Sequence, residues 1–156
     1  MKRIKWTELL ISVISAELVG VLSALLSGGF SERYSELIQP PFAPSGAVFP
    51  VVWTILYALM GISAYIIWQS AGDSSSAKKL YITQLAVNFF WSIIFFRFRL
   101  LGFAAIWAVL LFILVAAMVV SFIRISKTAA RLNIPYLVWS AFAAYLAIGT
   151  WLLNRQ

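Results

Sequence analysis

Five long apolar runs, at about 8–28, 47–69, 80–98, 101–123 and 134–153, leave this chain few ways to fold. Each is long enough to cross the ~30 Å hydrocarbon core of a bilayer as a helix, which takes about 20 residues. In lipid the backbone must satisfy its own hydrogen bonds, so a helix is the form each run takes. Composition agrees: 63% of the residues are hydrophobic and 11% are charged, where a soluble domain carries roughly a quarter charged. The expected fold is all-α and integral to the membrane, a bundle of five transmembrane helices forming one domain over residues 1–156.

The breaks between runs carry the topology. "SGGFSERYSELIQPPFAPSG" separates the first two spans, "QSAGDSSSAKK" the next two, and "RFRLLG" makes a short third turn. "RISKTAARLNIP" makes the fourth connection, with Pro135 near the start of the last helix, where a missing N–H costs little. Lys2, Arg3 and Lys5 ahead of an apolar run look like a signal peptide. Glu8 and Glu17 argue against an uncharged, cleavable segment, so the run is kept as the first span. Lys2, Arg3, Lys5, Lys78, Lys79, Arg124, Lys127 and Arg131 fall on the N-terminal side of the bundle; Arg33, Arg97, Arg99 and Arg155 fall on the other. The positive-inside rule then places the N-terminus in the cytoplasm and the first loop outside.

Several function classes are excluded by absence. With no cysteine and no histidine, the chain has no disulfide, no thiol nucleophile, no Cys/His metal site and no histidine proton relay. The formal charge of +7 does not imply nucleic acid, because the basic residues sit at span ends where topology accounts for them.

Polar and aromatic residues inside the runs point to a site. Ala16, Gly20, Ser23 and Ser27 form a small-residue row on one face of the first helix, a pattern that lets helices approach closely in lipid. Glu17 lies beside it. A charged carboxylate at mid-membrane costs about 2.5–3.5 kcal/mol on insertion scales, so it should face the bundle interior, as a functional acid or hydrogen-bonded to a neighbouring helix. In the third span Gln84, Asn88, Trp91 and Phe95 recur on one face, suiting a helix contact or a cavity wall. The second span offers Trp53, Tyr57, Gly61 and Tyr65, each four apart; the fifth offers Trp139, Ala143 and Leu146. Trp6, Trp68, Trp151 and Tyr81 lie at span ends and read as an interfacial belt. Trp53 and Trp91 should meet at similar depth near the first loop, with Trp139 deeper or toward the other face. An aromatic-walled cavity with a few amides suits a flat, greasy molecule. Arg33, Arg97, Arg99 and Arg155 either meet its carboxylates or simply anchor helix ends.

Three blocks carry a resemblance: "QPPFAPSGAVFPVVWTILYALMGISAYIIW", "QLAVNFFWSIIFF" and "AARLNIPYLVWSAFAAYL". They are similar, in order, to the P-x-W-x-P-P with V-W-x-x-L-Y-x-x-M-G, the Q-L-x-x-N-x-x-W-x-x-x-F-F and the P-Y-x-x-W-x-x-F-A-x-x-L-N of the tryptophan-rich sensory protein / translocator protein family (TspO/MBR), once called the peripheral benzodiazepine receptor. The resemblance implies a five-helix membrane fold, often dimeric. It also implies binding of porphyrins such as protoporphyrin, of isoquinoline and benzodiazepine ligands, and of sterols in eukaryotic members. Carried over by position, the pocket residues are Tyr34, Trp53, Tyr57, Asn88, Trp91, Trp139, Ala143 and Leu146. Two departures matter. The loop tryptophan is Phe42, and the asparagine of the L-N pair is Ala147. The sterol motif of animal members fails at Ile148 and Leu152.

The expected function is a membrane receptor or sensor for porphyrins, in a bacterial plasma membrane, with lipid and a second copy as partners and no cofactor. The alternatives are a light- and oxygen-dependent porphyrin-degrading enzyme using pocket tryptophans, and a porphyrin transporter. The proline-rich segment before Trp53 is expected to be a rigid lid over the pocket, since proline fixes φ and removes N–H donors.

Overall fold

The computed structural model describes residues 4–155; Lys2 and Arg3, counted above in the charge bias, lie outside the described residues. Seven helices follow in order: α1 (Trp6–Ser27), α2 (Phe30–Ser35), α3 (Val48–Trp68), α4 (Ser75–Ser92, continued by a π-helical turn Ile93–Arg97), α5 (Leu101–Ile123), α6 (Lys127–Leu132) and α7 (Ile134–Leu153). With α4 extended through its π turn and α6–α7 taken together, five spans are long and apolar enough to cross a membrane. The protein is an all-helical membrane-spanning bundle.

The spans form a ring in which the first packs on the second and third, the second on the fifth, the fifth on the fourth and the fourth on the third. Two sides of the ring are tight. Ala104, Ala105 and Ala108 of α5 cluster with Ala144 and Ala147 of α7. Small residues allow this because lipid supplies no hydrophobic drive between helices and close van der Waals contact must hold them. The contact between α1 and α3 is closer still. A methyl group on Gly61 would stand 2.5 Å from the Val13 backbone, and one on Gly20 would stand 2.3 Å from the Tyr57 ring.

Helix ends follow local chemistry. Gly28, at φ 75°, closes α1 in the left-handed conformation that a side chain resists. Pro50 is the third residue of α3, where its missing N–H breaks no helical bond. The fifth span starts earlier than its apolar run. The Ser126 side chain accepts from the Ala129 N–H and caps α6, whose Ala129 and Ala130 are buried, so "KTAARL" is helical despite its charges. Asn133 then breaks the helix and Pro135 sits in the first turn of α7. The third span also begins earlier, at Ser75, because Ala77 and Tyr81 bury one face of a polar-looking turn. Tyr81 therefore departs from the interfacial-belt expectation. It is buried, edge-on to Trp68 at 5.6 Å, whereas Trp6, Trp68 and Trp151 are exposed.

The core is tied by a polar cluster. The Tyr136 hydroxyl donates to Gln84 Oε1 at 2.8 Å and accepts from Asn88 Nδ2 at 3.1 Å, all three buried. Asn133 Nδ2 donates to Ser63 Oγ at 2.7 Å. These bonds link the fifth span to the third and the second, where unpaired amides would be costly.

Candidate functional site

A cavity of ≈ 240 Å³ lies between α1, α3 and α4. The small row on α1 forms one wall, with Gly20, Ser23 and Ser27 facing it. Phe49, Trp53 and Tyr57, each four residues apart on α3, form the second; Asn88, Trp91 and Phe96 form the third. Val21, Ala24, Pro50 and Thr54 also line it and are exposed on the outside of the bundle, so the cavity opens sideways between α1 and α3.

Its aromatic walls are held in place. Trp91 Nε1 donates to the Ala104 carbonyl of α5 at 3.2 Å, and its ring packs on Phe95 at 5.2 Å. The Trp53 ring lies 5.6 Å from Tyr57 and 6.1 Å from Tyr136. Asn88 spends its donor on Tyr136, so its side chain serves the wall and the helix contact together. Ser23 donates to the Phe89 carbonyl at 2.6 Å and shares a hydrogen bond with Ser92.

The eight residues picked from the sequence divide here. Trp53, Tyr57, Asn88 and Trp91 converge on the cavity. Tyr34, Trp139, Ala143 and Leu146 do not line it. Ala143 and Leu146 are buried on α7. Tyr34 and Trp139 connect to the cavity through Phe49, whose ring meets Tyr34 at 5.1 Å and Trp139 at 5.8 Å. Trp139 is the thirteenth of the 27 residues of its span, near mid-depth, and its buried Nε1 has no hydrogen-bond partner among the described residues. Phe49 was missed by sequence reasoning, although its spacing of four to Trp53 was a usable signal. Glu17, in contrast, lines the cavity without a bond to a neighbouring helix among the described residues.

The proline-rich segment is tied to the bundle by hydrogen bonds but sits elsewhere than expected. The Tyr34 hydroxyl donates to the Pro44 carbonyl at 2.7 Å, and the Tyr145 hydroxyl of α7 donates to the Pro41 carbonyl at 2.8 Å. Asn154 exchanges two bonds with the Ile38 backbone. The loop thus docks on the end of α7, and the cavity wall begins only at Phe49. Phe42 is 89% exposed, at φ 65°, and points away from the cavity. Burial pushes the Tyr34 phenol above its usual pKa.

The cations at this end are committed to protein groups. Arg33 donates to the Phe96 and Arg97 carbonyls, and Arg97 to the Leu26 carbonyl, satisfying helix ends that carry partial negative charge. Arg99 pairs with Glu36, and Arg155 lies over the Trp151 ring. Helix-end anchoring accounts for Arg33 and Arg97, and the other two have side-chain partners of their own.

Comparison with known proteins agrees with this architecture. The model of the TspO/MBR family matches residues 11–152. The chain is 33% identical over 155 residues to a translocator protein of Bos taurus, covering 96% of this chain and 92% of that one. It is 36% identical over 148 residues to a tryptophan-rich protein TspO of Archaeoglobus fulgidus, covering 89% and 95%. It is 34% identical over 123 residues to a tryptophan-rich sensory protein of Cereibacter sphaeroides, covering 79% and 77%. With its five spans, its ring of helices and a match over nearly the whole chain, this protein belongs to the TspO/MBR family.

Proposed function

We propose that the protein is a membrane receptor that binds porphyrins and related flat hydrophobic molecules inside its helix bundle. The observation that carries the reading is the cavity itself, walled by Trp53, Tyr57 and Trp91 with one buried amide, Asn88. Aromatic faces stack on a flat conjugated ligand, and a single polar group orients it. The names of the relatives, translocator and sensory protein, fit a ligand that is carried or sensed.

At ≈ 240 Å³ the cavity is smaller than typical ligand sites of ~300–1,000 Å³. A tetrapyrrole needs more room. Displacing Phe49 would join the cavity to the surroundings of Tyr34 and Trp139, and so bring those two of the expected pocket residues to the ligand. Under the same reading the protein lies in a bacterial plasma membrane with its N-terminus in the cytoplasm, and pairs with a second copy. The support is the gathering of Lys5, Lys78, Lys79, Arg124, Lys127 and Arg131 at one end of the bundle, together with the family resemblance.

Titration with protoporphyrin in detergent, read by tryptophan fluorescence, tests the receptor reading. Saturable quenching that is lost in Trp53→Ala is expected, and quenching that is absent or indifferent to Trp53→Ala rejects it. Absorption spectra taken under controlled illumination separate binding from light-driven degradation, and flux in proteoliposomes separates it from carriage.

A further inference from the structure

Glu17 is the twelfth of the 22 residues of α1, which puts it roughly 15 Å from either end at 1.5 Å per residue. A glutamate side chain is too short to reach the headgroups from there. It lines the cavity beside Tyr57, partly buried, and makes no hydrogen bond or ion pair among the described residues.

Most of the neighbouring polar groups are engaged elsewhere, and the Tyr57 hydroxyl on the same cavity makes no bond to the carboxyl among the described residues. Ser23 and Ser92 bond to each other, Thr54 donates to the Pro50 carbonyl at 2.9 Å, and Asn88 donates to Tyr136. The cations at the loop end, Arg33 and Arg97, hold helix-end carbonyls and do not neutralise it. Three of the four other carboxylates have partners: Glu8 has Lys5 and Gln69, Glu36 has Arg99, and Asp73 accepts from the Ser75 N–H; Glu32, without a side-chain partner among the described residues, lies on α2 outside the five spans. Glu17 is a carboxyl inside a span, open to a cavity and left without a mate. In a low-dielectric site an N–H donor or a cation that reaches it gains a charge-assisted bond, while a second carboxylate is repelled.

We propose that Glu17 is the polar anchor of the cavity and selects flat aromatic ligands bearing a protonated nitrogen or an N–H donor, the ring N–H groups of a free porphyrin among them, over flat acids that bear neither. The inference rests on the cavity being a ligand site and adds the chemistry it prefers.

The test uses two fluorescent probes of the same shape, 9-aminoacridine and anthracene-9-carboxylate, titrated by anisotropy against the full chain in neutral maltoside micelles. Wild type is expected to bind the amine at least tenfold more tightly than the acid. Glu17→Gln should lose at least tenfold in amine affinity, while Glu17→Asp keeps the preference. Glu8→Gln, which removes the same charge at the end of α1, should leave both probes unchanged. Glu17→Gln should melt at the wild-type temperature or above it, because an unpaired carboxyl in a span contributes nothing to packing. The inference is overturned by equal affinities in wild type and Glu17→Gln, by an equal loss in Glu8→Gln, or by a lowered melting temperature in Glu17→Gln. Protoporphyrin quenching measured in parallel tells the failures apart. Quenching that depends on Trp53 without any amine preference removes the role of Glu17 and leaves the ligand site. Indifference of every ligand to Trp53→Ala removes both.

Discussion

The ring of Phe49 stands edge-on to the indole of Trp139, with centroids 5.8 Å apart and planes at 72°, and Phe49 alone of the two lines the cavity. It is a partition one residue thick. Phe49→Ala should enlarge the cavity and expose the unpartnered Trp139 N–H to a ligand. Stopped-flow quenching by protoporphyrin should show faster association than in wild type, and Trp139→Phe should then weaken binding in the Phe49→Ala background more than in wild type. An unchanged association rate would rule out the partition.

The two glycines at the α1–α3 contact should respond differently to a methyl group. Gly61→Ala drives Cβ into the backbone of Val13, which cannot step aside. Overpacking of this kind costs typically 1–3 kcal/mol, so a marked fall in melting temperature is expected. Gly20→Ala meets first the Tyr57 ring, a side chain that can turn into the cavity. A smaller stability loss with a larger loss of ligand affinity is the expected signature, measured by melting and titration on the same samples.

Removing the Tyr136 hydroxyl strands two buried amides. Tyr136→Phe leaves Gln84 Oε1 without its donor and Asn88 Nδ2 without its acceptor. Each unsatisfied buried group costs about 1–3 kcal/mol, so thermal stability should fall. Asn88→Leu paired with Tyr136→Phe should recover part of that loss, since only Gln84 is then stranded. A double-mutant cycle measures the coupling.

Loop docking should be insensitive to pH until the phenol range. The Tyr34 hydroxyl donates to Pro44, and burial raises its pKa above the ordinary phenol value. A folded-state pKa raised above the unfolded value means the stabilisation is intact below about pH 10 and is lost as pH rises beyond it. Limited proteolysis of the 36–47 loop should therefore be flat from neutral pH to that point and accelerate above it. Tyr34→Phe should show the faster cleavage at neutral pH.

Four wall residues were legible in the sequence because helical periodicity alone sets their face. Trp53 and Tyr57 are four apart, Asn88 and Trp91 three apart, and a helix of known phase fixes where each points. What lay beyond reach depended on geometry between helices. The outward turn of Phe42 follows from docking of its loop on α7 through Tyr145 and Asn154, bonds spanning more than a hundred residues. The sequence left Trp139 either deeper or toward the other face, and its mid-depth position follows from α6, a charged segment made helical by one serine cap and two buried alanines. Tyr81 looked interfacial because it lies at the end of its apolar run, yet the ring turns inward against Trp68. Glu17 was recognisable as anomalous, but whether a partner reached it was a question of packing.

The sideways opening at Val21, Ala24, Pro50 and Thr54 sets the reservoir from which the site fills. A greasy ligand dissolves in the bilayer long before it meets the protein, and the cavity samples that two-dimensional solution rather than the surrounding water. Occupancy is then governed by moles of ligand per mole of lipid. Dilution of the aqueous phase at fixed lipid leaves it nearly unchanged, whereas adding empty vesicles drains it.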